Sequence, residues 1–321
     1  MNLSYRITEL EDLEHCVTLT RNHFAFKPDE YPDLVEFWKF LIANSMAVSA
    51  VVIDHLNERE SRVVGFGMSV FTTDEFADEM GESLSPYLAR QIFERWLKGN
   101  GPLPILNAQQ IKQANSTTGL NIGVIHRGWI NAQPELTVED FEIGPKLYEV
   151  FAALTVGYRL NRLQVEVYGE VDRERLQSFG YRCRTDYADH FEHGFPPPPP
   201  GNDPFLMELT TGEILQRPYG ASTPFFLHRT PKIYYTTQEQ QLLQRAIFGE
   251  SDAEIARSLK ISISTVHKRW RMIYSRAEEC GVALLPAEPM DVRGPEKRTV
   301  LLRYLNQHLE ELRPVVRPKD L

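Results

Sequence analysis

The chain has 321 residues, 42% of them hydrophobic and 25% charged, which is enough for two domains and a buried core. A net charge of −9 excludes a generally basic, polyanion-coating protein, so any nucleic-acid surface must be a local patch. Cys16, Cys183 and Cys280 stand far apart without ligand spacing, which argues against a disulfide framework or a metal site.

The opening MNLSYRITEL has neither a basic nor an apolar leader region, and no apolar run approaches the roughly 20 residues needed to span a bilayer. The expectation is a cytoplasmic protein without membrane contact. Tyr5 to Thr8 reads as a strand and Glu11 to Phe24 as a helix. A second helix, Tyr31 to Asn44, carries Leu34, Phe37, Trp38 and Leu41 on one face. The strands MAVSAVVIDHL and RVVGFGMSVFT follow, then a helical insertion over 73–119 that includes SPYLARQIFERWLKG. Next come the strand LNIGVIHRGWI and a helix from Val138 to Tyr158 opened by a Thr137/Asp140 capping box. The strand RLQVEVYG, the short helix DRERLQSF and the strand YRCRTDYADHF complete the pattern.

That order resembles the GNAT acetyltransferase fold over residues 1–193, and LQSFGYRCR resembles the family's short helix and turn before a late strand. The resemblance implies an acyl-CoA pyrophosphate held on backbone N–H groups at a helix start. The matching stretch, GWINAQPELTVEDFEIGPKLYEVF, has no paired glycines and places Glu135, Glu139, Asp140 and Glu142 there. Acetyl-CoA is therefore disfavoured and no cofactor is expected, so the domain reads as a degenerate GNAT-like sensor of a ligand or partner. An active enzyme would draw on the strand Asn121 to Ile125, with Tyr181 or Tyr187 as general acid. His126, beside Arg127 and Trp129, reads as structural.

Five consecutive prolines in GFPPPPPGNDP stop both helix and central strand, so 194–235 reads as a proline-rich linker packed on a domain surface. Beyond it, capping boxes Thr236/Glu239 and Ser251/Glu254 open two helices, and Ser262 caps a third. Val266, Trp270 and Ile273 form the core stripe of that third helix, with His267, Lys268 and Arg271 opposite. From Ile255 to Arg276 there are six Lys or Arg residues and no acid. The arrangement is that of a helix-turn-helix, with a basic helix free to enter a major groove.

Residues 236–285 resemble the LuxR/GerE-type DNA-binding domain through "T-x-x-E", "G-x-S-x-x-E-I-A" from Gly249 to Ala256, "L-x-I-S-x-x-T-V" from Leu259 to Val266, and "G-V" at Gly281 and Val282. Lys260 stands where the family usually has a turn glycine. The resemblance implies that Arg257, Lys260, Ile263, Ser264, His267, Lys268 and Arg271 meet double-stranded DNA. Residues 286–321 form a C-terminal extension with one amphipathic helix, suited to dimerisation or to packing on the N-terminal domain. The resulting expectation is an α/β GNAT-like domain joined to an all-α helix-turn-helix domain: a homodimeric transcriptional regulator with a small-molecule effector. The alternative is an N-acyltransferase using acyl-CoA fused to a DNA-binding module.

Overall fold

The computed structural model describes residues 1–20, 22–57, 60–83, 85–99, 101–131, 137–187, 196–216, 220–282 and 294–317. Among these, strands β1 (Leu3–Ile7), β2 (Ala47–Asn57), β3 (Glu60–Thr72), β4 (Leu120–Trp129), β5 (Leu160–Tyr168), β6 (Arg182–Asp186) and β7 (Pro204–Thr210) form one sheet in the order β1-β2-β3-β4-β5-β7-β6. All neighbours are antiparallel except β4 and β5.

Helices α1 (Leu13–Cys16), α2 (Tyr31–Ala43), α3 (Asp74–Glu82), α4 (Leu88–Lys98) and α5 (Ala108–Ser116) precede β4. Strand alternation divides the apolar residues between the two faces. Phe66, Met68 and Val70 of β3 join Leu13, Phe37, Trp38, Ile92 and Phe93 from α1, α2 and α4. On the opposite face Val52, Val64 and Trp129 pack against Ile143 and Leu147 of α6 (Val138–Thr155). Gly65 permits that approach, since a Cβ there would lie 2.8 Å from the Ile143 side chain. Helix α7 (Glu170–Ser178) places Leu176 beside Leu163, Val165 and Val167 of β5.

Two sequence expectations need correction. The span 194–235 is not only a linker: β7 inserts between β5 and β6, and α8 (Thr211–Gln216) follows it. Phe205, Leu206, Met207 and Leu209 are all buried, as befits a strand covered on both faces, and Pro204 occupies its first position, where a missing donor is tolerated. The prolines thus precede a strand of the sheet. The single helix expected from Glu11 to Phe24 is instead α1 followed by 3-10 turns at Val17–Leu19 and His23–Ala25. Thr20 is extended, its hydroxyl donates to Val17 O, and the His23 ring bonds Thr20 O, so side chains compete with the helical ladder.

The C-terminal region is helical: α9 (Thr237–Ile247), α10 (Asp252–Ser258), α11 (Ile263–Glu279) and α12 (Gly294–Gln307). Both capping boxes form, and Ser262 Oγ accepts the Thr265 N–H. Leu242, Leu243, Ile255, Val266, Trp270 and Ile273 share one core with Leu301 and Leu305. The stripe of α12 therefore completes the helical region, while the segment that follows it packs on the α/β part through Arg313, Pro314 and Val316. Residues 188–195, Glu135, and the segment 283–293 containing the 285/286 boundary lie outside the described residues.

Candidate functional site

The β4–β5 ladder runs from Leu120–Leu160 to Val124–Val165 and stops, while β4 continues to Trp129 and β5 to Tyr168. A bulge at Ile125, between the Met68–His126 and Ser69–Val124 pairs, turns β4 at that point. Under α6 and α7 lies a cavity of about 540 Å³. Its walls include Gly67, Val124, Val165, Leu147, Leu154 and Tyr181, and its lining is mostly apolar. Phe141, Tyr148 and Phe179 also line it while remaining substantially exposed.

Apart from Glu149, which pairs with Lys146, the charged residues of the lining belong to one chain of side chains. Arg127 donates to Asp172 at 2.7 Å, Arg175 lies 3.3 Å from Asp172, and Arg175 lies 3.6 Å from Asp140. Asp140 is buried and accepts the Thr137 N–H and hydroxyl, both at 2.7 Å. Asp140 thus closes back on Thr137, as the capping-box spacing leads one to expect, and puts a buried carboxylate at the start of α6. The other acids lead elsewhere: Glu139 accepts from Asn131, and Glu142 lies 3.6 Å from the N-terminal amine.

Tyr181 lines the cavity, and burial pushes its phenol up, so it keeps its proton at neutral pH. Tyr187, the other candidate acid, lies on the opposite face of the sheet beside Tyr168 and Leu206. His126 is buried among Phe26, Trp38 and Phe66, its Nδ1 is 2.9 Å from Asn22 Oδ1, and desolvation holds it down at about 3. It stays neutral, in keeping with a structural role. Sequence reasoning missed Arg175 and Asp172, because nothing in one-dimensional spacing brings β4, α6 and α7 together.

On the helical region, Arg257, Lys260, Ile263, Ser264, His267, Lys268 and Arg271 are all exposed. Ser264 Oγ is 2.8 Å from Ser262 Oγ at the start of α11, and His267 Nε2 is 3.4 Å from Asp252. Lys260 adopts φ 53°, the left-handed conformation of a turn glycine. Trp270 is buried and donates to Asp252 at 3.0 Å, with Arg298 over its ring, so it belongs to the core.

No family model matches the chain, and no curated protein matches it. Among solved structures, the chain is similar to a spermidine N-acetyltransferase from Vibrio cholerae (12% identity, 67% of this chain and 98% of the other, TM-score 0.35). It is likewise similar to a polyamine N-acetyltransferase from Drosophila melanogaster (15%, 65% and 99%, TM-score 0.37). A third is the C-terminal condensation domain of Ebony (10%, 65% and 99%, TM-score 0.41). Likeness of this degree assigns no residue a role. The α/β part is a mixed sheet in which β4 and β5 are the one parallel pair among the described strands.

Proposed function

We propose that the α/β part is an N-acyltransferase domain whose acyl thioester donor enters the cavity at the β4–β5 split. The observation that carries this reading is the end of the β4–β5 ladder at Val124–Val165 above an apolar cavity that contains a protonated tyrosine. The lining suits an acyl group and the thin arm that bears it. The start of α6 suits a pyrophosphate less well, because Asp140 caps it; Arg127 and Arg175 are the cations there that can meet an anion, once released from Asp172 and Asp140. When bound, the thioester supplies an activated acyl carbon. Backbone groups of β4 beyond Val124 are free of the β5 ladder and available to orient the carbonyl. Tyr181 gives its proton to the departing sulfur as the acyl carbon passes to an amine nitrogen, and recovers one from the ammonium formed. Calorimetric titration of the full chain with acetyl-CoA tests the site: one equivalent bound, with binding abolished by Val165→Trp, supports it, and no binding counts against it.

A second reading is favoured by the exposed basic face of α10 and α11. Seven exposed residues around a side-chain-capped helix start fit contact with duplex DNA, as the LuxR/GerE resemblance implies, with two copies meeting two half-sites. The two readings are compatible in one chain. Fluorescence anisotropy with mixed-sequence duplexes over a salt series tests the second.

A further inference from the structure

We propose that α6 and Arg313 form a mechanical link that carries the state of the cavity to helices α9–α11. The inference rests on reading the cavity as a ligand site.

Helix α6 has two ends with different partners. One face of it, including Asp140, Gly144, Leu147, Phe151 and Leu154, lines the cavity. Its last turn is held by Arg313, which is 0% exposed and reaches it from the segment after α12. Arg313 Nη2 donates to Ala153 O at 2.5 Å and Nε to Val156 O at 2.8 Å, so the two acceptors flank Leu154, a cavity wall. The guanidinium also lies over the Tyr158 ring at 5.1 Å. Burial lowers its pKa to about 10, with Tyr158 and Glu310 opposing the shift. The terminal carbonyls of a helix lack partners within it and carry the negative end of its dipole, so a cation suits this place. Parting this buried cation from those carbonyls is costly, and the tail is therefore bound to follow α6.

The other side of Arg313 is equally fixed. Gln240 of α9 donates to Arg313 O at 2.7 Å and to Glu311 O, and Gln244 donates to Leu312 O. The Glu311 carboxylate accepts the N–H groups of Lys232 and Ile233, just ahead of α9. At Gly157 a Cβ would lie 2.6 Å from Glu310 N, so the tail and the chain leaving α6 touch backbone to backbone. A second contact runs in parallel: Phe248, at the end of α9, packs on Ala50, Val150 and Leu154. An occupant that moves α6 off the sheet thus displaces Arg313, and with it the strip that α9 grips.

The test perturbs the cavity by substitution, so it needs no ligand. At Gly67 a Cβ fits, with Leu147 Cδ2 at 3.8 Å, and a longer side chain projects beneath α6. Hydrogen exchange is measured on the full-length wild type, G67I, R313M and the double variant. The link predicts that G67I changes exchange severalfold in α6 and also in α9–α11, and that R313M removes most of the change in α9–α11, leaving only what the Phe248 contact carries. A G67I effect confined to α6 while Arg313 is present, or equal in α9–α11 without it, overturns the proposal, as does unchanged exchange in α6. Should R313M fail to fold, Q240M combined with Q244M removes the side-chain bonds of α9 to the strip and carries the same expectation; G67V serves in place of G67I. Failure of acetyl-CoA to bind would remove the donor reading and leave this result standing.

Discussion

The Glu166 carboxylate on β5 accepts the backbone N–H of Tyr87 at 2.7 Å and of Leu88 at 3.0 Å, so a strand side chain caps α4, a helix 78 residues earlier in the chain. Tyr87 sits at φ 69° and provides no side-chain cap of its own. Tyr168 completes the cluster with a short hydrogen bond to the same carboxylate.

Burial raises Glu166 to about 7 against an ordinary 4.5, despite the bonds that favour its anion. A carboxyl with a raised folded pKa destabilises the fold as it ionises: the penalty is absent below about 4.5, grows through 7, and reaches about 3 kcal/mol above it. Glu166→Gln removes the titration. Chemical denaturation from pH 5 to pH 8 should show the stability difference between variant and wild type moving towards the variant by up to that amount.

Tyr181→Phe removes the proposed proton donor with little change of shape. Acyl transfer should fall about 10²-fold or more in kcat, with donor affinity nearly unchanged, because the loss lies in the reaction step. Steady-state kinetics separate the two quantities.

Lys260 is a non-glycine residue in a left-handed turn, a conformation that costs about 1 kcal/mol. Lys260→Gly should raise the melting temperature of the helical region by a few degrees, read by differential scanning calorimetry. The same variant loses an exposed cation and should bind duplex DNA more weakly.

Replacing Lys268 and Arg271 by Glu tests the basic face directly. If both meet phosphates, affinity for any duplex falls, and the slope of log affinity against log salt becomes shallower by about 2. An unchanged slope would show that DNA, if bound, is held elsewhere.

What the sequence revealed follows from local physics. Capping pairs Thr137/Asp140, Thr236/Glu239 and Ser251/Glu254 act within one turn, so each helix start could be read and each forms. The stripe Val266, Trp270, Ile273 is periodic and is buried. The strand β7 could not be read in the same way: it is buried on both faces, opens on the apolar run Phe205–Met207 without alternation and follows a proline run. In the charge chain only Asp172–Arg175 is an i,i+3 pair of one helix; the Arg127–Asp172 and Arg175–Asp140 links and the Arg313 clamp unite residues brought together only by tertiary folding, and spacing carries no trace of them.

The central claim, that the cavity at the β4–β5 split supports acyl transfer, is tested most directly by thiol release from acetyl-CoA in the presence of a panel of primary amines. Release by the full-length protein is expected to depend on the amine and to be largely lost in Tyr181→Phe. Bound acetyl-CoA with no release above buffer would contradict it and would leave the α/β part as a binding domain without transfer.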